Sequence, residues 1–419
     1  MTDAGDVDLD DPGTLLRPDV LDDPRAFHDA LRARAPVWKI PGQDTFVVSD
    51  PALVREAVGR PDEFSSNLTS VLHDDGNGRP AVFRMSRPGD PVNVLSTADP
   101  PIHTRHRRLL QQHLSPAAVA GLEPVVERIV DACLDQLLDG SSVDAVPIFT
   151  DAVPIRTISE VIGLPAEDAD DLVRRVRETG TLLDGTAELD GLNAGAVAAL
   201  ELTGYVDDRL HASLAAEVSD RQGLLAVLAD AVESGDLGAG EARDILVVLV
   251  SAGSETTSSL LATAVENLAI DQELQNRLRR DPSGIADAIE DMLRTDGPFQ
   301  FHYRYVTGDT ELGGVAIPAR GRLLLMWAAA NRPAPGSAAT RDTSDDRGPA
   351  PHFAFGRGLH FCIGAPLARL EARVALERLL ARTESIGLDP DRPPTRRPSI
   401  FIRRHDTLPV RTVTALRPA

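Results

Sequence analysis

Apolar side chains return at helical spacing through most of residues 101–294. The densest part, 244–265, predicts a long buried helix whose polarity breaks at its centre. Residues 245–250 are apolar, and the chain is apolar again from Leu260. Between them Ser251, Ala252, Gly253, Ser254, Glu255, Thr256, Thr257 and Ser258 are small or polar. Hydroxyls that bond back to the carbonyl four residues earlier can loosen such a turn. Short β-like pieces stand at 37–48 and 303–315, near Leu323 and at 400–413. Three segments are loop-like in their Gly, Pro, Asp and Ser content: 73–91, 184–195 and 332–351. The first is long enough to serve as a lid or binding element. With no repeat, heptad run or flexible linker, the pattern predicts one mainly α domain with small β-sheets over residues 1–419.

Composition narrows the setting. Hydrophobic residues make up 42 % of the chain, ample for a large core. The two cysteines, Cys133 and Cys362, give no disulfide framework and fit a reducing compartment. Cys133 falls in an apolar helical stretch and is expected in the core. A formal net charge of −21 argues against nonspecific nucleic-acid binding. Residues 1–12 are acidic, lack an apolar run and read as a flexible segment rather than a signal or anchor. The 245–250 run is far short of the roughly 20 residues that cross a bilayer. The expectation is a soluble, cytoplasmic monomer with no membrane or nucleic-acid partner.

The most specific chemistry sits at Phe355-Gly356-Arg357-Gly358-Leu359-His360-Phe361-Cys362-Ile363-Gly364. Glycines let this backbone curl closely around something. Pro366 suits a first helical turn, and Leu367, Leu370, Val374 and Leu376 follow at roughly helical period. Cys362 therefore lies near a helix N-terminus, where the dipole and free N–H groups favour a thiolate. A lone cysteine is not a zinc pattern, which needs about four ligands. It suits the axial thiolate of a heme iron.

Three further constellations stand along the chain. Asp99-Pro100-Pro101 predicts a helix start, with an aspartate cap and proline in the first turn, and puts His103 and Arg107 on one face. On a helix over 287–294, Asp291 and Glu290 lie three and four residues before Arg294, and either can pair with it. Alternation along the strand at Arg304 places Gln300 and His302 on its side, with Phe301 and Tyr303 opposite, unless a turn before the strand breaks it.

Residues 355–364 match Phe-Gly-x-Gly-x-His-x-Cys-x-Gly, the heme-binding signature of the cytochrome P450 family, without a gap. The chain resembles that family from about Phe64 to Glu371, with the motifs in the family's order. The resemblance implies the cytochrome P450 fold, with a long central helix over heme b (iron protoporphyrin IX). Cys362 would be the axial ligand of the iron, and Phe355, Gly356, His360 and Gly364 would shape its loop. Ala252, Gly253, Glu255, Thr256 and Thr257 resemble the oxygen-binding motif Ala-Gly-x-(Asp/Glu)-Thr-Thr. That likeness implies that Ala252 and Gly253 border the heme, Thr256 stabilises dioxygen and Glu255 relays protons. His103, Arg107, Arg304 and His360 would hold the heme propionates.

The family's Glu-x-x-Arg motif carries aspartate here, so whether Glu290 or Asp291 holds Arg294 stays open. So does the choice of Arg341 or Arg347 as the second arginine. Asn331-Arg332-Pro333 departs from the family's Asn-Arg-Asp-Pro, so the segment after it is expected to be poorly anchored. Val71, Leu72, Phe83, Val94, Val248, Gln300, His302 and Phe401 are expected around a small, largely apolar substrate with one polar group.

The implied reaction uses dioxygen and two electrons to hydroxylate or epoxidise that substrate, in secondary metabolism. The chain has no flavin or iron–sulfur pattern, so a separate ferredoxin and ferredoxin reductase would supply electrons. Arg108, Arg357, Arg369 and Arg373 are candidates for the patch that receives them. Oxidative aryl coupling on the same heme and noncatalytic heme binding remain as alternatives.

Overall fold

The computed structural model describes residues 7–85, 93–138, 142–333 and 350–415. Its organising element is the helix Ala239–Ile270, which extends the expected 244–265 at both ends. The helix starts where Glu241 accepts the Gly238 N–H at 3.1 Å. It stops where Asp271 becomes the N-cap of Gln272–Arg280 and accepts the Leu274 N–H at 2.9 Å. Ile245, Leu246, Val250, Leu261 and Leu268 are fully buried. Each such side chain is worth roughly 1.5–3 kcal/mol, which outweighs the poor helix propensity of the hydroxyl-rich centre. Around this helix pack Ala152–Ile162, Leu189–Ala215 and Ala365–Arg382.

The expected loosening at 251–258 does not occur. The helix is continuous there, with the Ser254 hydroxyl donating to the Val250 carbonyl at 2.6 Å and that of Thr256 to Ala252 at 2.9 Å. The whole helix is long and apolar enough to cross a bilayer, which the short 245–250 run does not suggest. Yet 56 % of its most apolar window is buried inside the protein, as suits a core helix.

A second core joins N-terminal residues to a five-stranded sheet. Its strands, in spatial order, are Val37–Lys39, Thr45–Val48, Arg322–Leu325, His302–Val306 and Phe64–Ser65. Thr45–Val48 and Arg322–Leu325 are parallel; the other neighbours are antiparallel. A three-stranded sheet pairs Thr383–Leu388 with Pro409–Thr414 and then Val143–Asp144.

Two of the expected loops contain regular structure. Within 73–91, Pro80–Arg84 pairs with Ser70–Asp74, setting Val71 opposite Phe83 and Leu72 opposite Val82. The Asp74 carboxylate accepts the Gly76 and Gly78 N–H groups at 2.8 and 2.9 Å and closes the turn. Within 184–195, the helix Leu189–Ala215 has already begun. Arg341 and Arg347 lie outside the described residues. Ahead of them Arg332 is anchored, forming a two-point ion pair with Asp29 at 2.6 Å.

Candidate active site

The cysteine loop is shaped by two left-handed glycines, Gly356 at φ 67° and Gly358 at φ 71°. A Cβ on Gly358 would lie 2.7 Å from Val58 Cγ1, so that position also needs the space. The Cys362 N–H donates to the Phe355 carbonyl at 2.9 Å, and the Phe355 ring lies under the Arg369 guanidinium at 4.4 Å. Gly364 is the N-cap of Ala365–Arg382, with Pro366 in its first turn as expected. Burial raises the Cys362 thiol pKa; the Gly364 and Ala365 N–H groups and Arg107 oppose it without winning. The helix start therefore offers a thiolate its donors, while burial keeps the free side chain a thiol.

Around this cysteine gathers a group of cations and imidazoles. The His103 and His360 rings meet tilted at 49°, 4.2 Å between centroids. Burial, then Arg304, His103, His302 and Arg107, push His360 down to about 3. Arg304 is 7 % exposed, and burial lowers it to about 10. Its Nη1 donates to its neighbour's carbonyl, that of Tyr303, at 2.7 Å. Arg107 donates to the Phe361 carbonyl at 2.8 Å. His103 Nδ1 is buried without a partner among the described residues.

The carboxylate acting on Arg304 and His103 is Asp99. That group does not cap the Ile102–Leu110 helix as expected. It is taken by the Ser65 hydroxyl, the Ser66 N–H at 2.9 Å and the Asn67 amide at 3.2 Å. Buried cations need anionic partners. A cradle of this kind beside a lone cysteine fits a group that brings its own carboxylates and an iron, as heme does.

Along the central helix Val248, Ala252 and Thr256 fall four residues apart on one face. Ala252 is exposed and the other two half-buried, although the helix runs through the core. This open face fits a cavity. Gly253, grouped with the cofactor residues from sequence, does another job: a Cβ there would meet Ile158 Cγ1 at 2.8 Å, so it lets two helices approach. Glu255 leaves the open face too. It contacts Arg404, which sequence reading missed and which also donates to Asp184 at 3.1 Å.

The Arg294 question resolves: Nη2 donates to Asp291 at 2.5 Å. Glu290 instead takes Arg369 at 2.6 and 2.8 Å and faces His352 Nε2 at 3.0 Å. That removes Arg369 from the free patch, and Arg373 pairs with Glu123 and Glu377 at 2.8 and 2.9 Å. Arg108 and Arg357 stay exposed and, among the described residues, in no ion pair; Leu359 and Phe361 are 46 % and 42 % exposed in the same loop as Arg357.

The expected substrate wall divides. His302 joins the cationic group, its Nδ1 accepting the Trp327 indole N–H at 2.6 Å. Phe401 lies 5.9 Å from His302. Val71 and Leu72 are fully buried in the N-terminal core, with the Leu72 N–H donating to the Tyr303 hydroxyl at 3.0 Å, so they are core rather than wall. Phe83 packs against the same core, and Val94 belongs to the helical core. Gln300 turns to a small void beside Phe27, His28 and Arg403, where its Nε2 donates to the Gly297 carbonyl at 3.2 Å. Phe299, not Gln300, shares a side with His302, at 4.6 Å. The strand begins at His302, so its alternation does not reach back to Gln300.

Comparison with known proteins agrees with this geometry. The family model described as cytochrome P450 matches residues 285–405. Cytochrome P450 144 of Mycobacterium tuberculosis is 38 % identical over 378 residues, covering 90 % of this chain and 86 % of that protein. The vitamin D(3) 25-hydroxylase of Pseudonocardia autotrophica is 34 % identical over 374 residues, 87 % of this chain and 89 % of that one. The ligand-free crystal structure of CYP164A2 from Mycobacterium smegmatis superposes with a TM-score of 0.81 at 27 % identity, covering 95 % of this chain and 98 % of that chain.

Proposed function

The chain belongs to the cytochrome P450 family, and from that membership we propose a heme-thiolate monooxygenase that hydroxylates or epoxidises a small, largely apolar organic molecule. The observation that carries the reading is the gathering of His103, Arg107, Arg304 and His360 beside Cys362, with Asp99 engaged elsewhere. In this reading those four side chains hold the carboxylates of heme b and Cys362 holds its iron. When bound, the heme supplies dioxygen activation and oxygen transfer.

The rest falls to the chain. Val248, Ala252 and Thr256 border the substrate cavity, with Phe299, His302 and Phe401 as its aromatic wall. The Thr256 hydroxyl moves a proton at Oγ1, and Glu255 supplies it. A relative named for hydroxylating vitamin D(3) supports an apolar substrate class. Electrons come from a separate ferredoxin and its reductase, docking at Arg108 and Arg357 beside Leu359 and Phe361. We take the active form to be a single-domain cytoplasmic monomer.

Turnover with NADPH, surrogate redox partners and isotope-labelled dioxygen tests the reaction. One labelled oxygen per product molecule is expected. Unlabelled coupled product would favour aryl coupling, and reductant use indistinguishable from background would favour a noncatalytic heme protein.

A further inference from the structure

Phe401 stands on a loop whose two feet reach the same carboxylate oxygen. The strands Thr395–Arg396 and His405–Thr407 run antiparallel, with Arg396 opposite His405. Arg396 Nη2 contacts Glu266 Oε2, and His405 Nε2 lies 3.1 Å from that same atom. The His405 side chain is 2 % exposed and that of Glu266 12 %. Among the described residues, the contact with Glu266 is the one polar contact of the His405 ring, whose Nδ1 is buried without a partner. Burial acts to raise the Glu266 pKa. The His405 hydrogen bond and the Arg396 charge outweigh it and hold the group below its ordinary value, as a carboxylate.

Glu266 belongs to the central helix. It stands eighteen positions after Val248, about five full turns, so it continues the stripe of Val248, Ala252 and Thr256. Ser259 lies on the same stripe and donates its hydroxyl to the Arg403 carbonyl. One side of the central helix thus holds the loop at both feet and again at Arg403.

The rest of the loop is held from another direction. The Gln300 N–H donates to the Phe401 carbonyl at 2.9 Å, and the Arg403 N–H to the Pro298 carbonyl at 2.9 Å. Phe299 and Ile402 form an antiparallel bridge. Phe401 accordingly packs in the N-terminal core, its ring 5.1 Å from that of Phe299. The central helix belongs to the helical core. The loop is therefore a tie between the two cores, and Glu266 is where its two strands are fastened. A buried carboxylate shared by partners on facing strands fixes register as well as distance, because a slip of either strand would leave a buried group unpaired.

We propose that Glu266 is a positioning residue that sets the width of the substrate cavity, by fixing the loop of Phe401 to the stripe of the central helix that carries Val248, Ala252 and Thr256. The inference rests on the monooxygenase reading, which makes these side chains the cavity walls. A gap of fixed width favours ligands that fill it without displacing Phe401.

Azole binding to the intact, heme-loaded protein tests this without turnover. Imidazole binds the iron and reaches little of the wall; 4-phenylimidazole presents a ring to the wall as well. Both are titrated by the shift of the Soret band. In Glu266→Ala the affinity for 4-phenylimidazole, relative to imidazole, should fall at least threefold. His405→Leu frees one foot and leaves Glu266 paired with Arg396. It should move the ratio in the same direction by less, and it carries the test if Glu266→Ala does not fold. A ratio that stays at the parent value in the folded variants overturns the proposal, whatever happens to the melting temperature. Glu266 would then stabilise the fold and position nothing. The parent reading fails separately, if the unaltered protein inserts no labelled oxygen while its azole ratio still responds to Glu266→Ala.

Discussion

Gly180 shows how much one bare Cα can decide. Alanine in place of helical glycine gains up to about 1 kcal/mol from backbone entropy. Here the added methyl would press on a buried ion pair at 2.7 and 2.9 Å, and overpacking of that kind costs about 1–3 kcal/mol. We expect Gly180→Ala to be net destabilising by about 1 kcal/mol, read as a lower urea midpoint; a stabilised variant would mean the pair has room to spare. Thr256→Ala should keep the fold, since among the described residues its hydroxyl bonds only the Ala252 carbonyl, yet waste reductant as peroxide. Unchanged coupling would make Thr256 a helix residue and nothing more. Cys362, His103, Arg107 and Arg304 stand out in the sequence as candidates because each lies in a compact motif. Arg404 and Asp184 were not: they are 220 residues apart, and neither has a neighbour in sequence that hints at the other.

Elements were legible where their signal was local. The central helix is written in its apolar ends, and the Ala365–Arg382 helix in Pro366 and the leucines after it. Composition predicts a loop over 73–91 because Asp74, Asp75, Gly76, Asn77 and Gly78 dominate its start, although they make only the turn between Ser70–Asp74 and Pro80–Arg84. The helix Ile285–Asp296 is tied to Ala365–Arg382 by Glu290 and Arg369. Burial alone would raise the Glu290 pKa, but the Arg369 and His352 hydrogen bonds outweigh it and hold the carboxyl at about 2.

Because the folded value lies below the unfolded one, this tie contributes fully above about pH 4.5 and is lost as pH falls toward 2. Glu290→Gln should cost about 1–2 kcal/mol at pH 7, after discounting for its partial exposure, and distinctly less at pH 3. Equal losses in urea unfolding at both values would contradict the assignment.

For the molecule as a whole, charge and topology divide what sequence can say. The five-stranded sheet draws on strands from Val37 to Leu325, and no local pattern announces that Thr45–Val48 should lie parallel to Arg322–Leu325. Net charge of −21 repels an acidic ferredoxin at long range. At about 0.15 M salt screening acts within roughly 8 Å, so Arg108 and Arg357 govern the encounter locally. Arg357→Glu should slow reduction by an acidic ferredoxin at low salt, with the difference fading as salt rises; equal rates in stopped flow at low salt would move the docking face elsewhere.

The proposed function rests on one ligand. The reduced, carbon monoxide-bound difference spectrum of the heme-loaded protein, recorded beside Cys362→Ser, tests it most directly. The account predicts a thiolate-type Soret band in the parent protein and its loss in the variant. A parent band of the imidazole type, or a thiolate band surviving in Cys362→Ser, would contradict it.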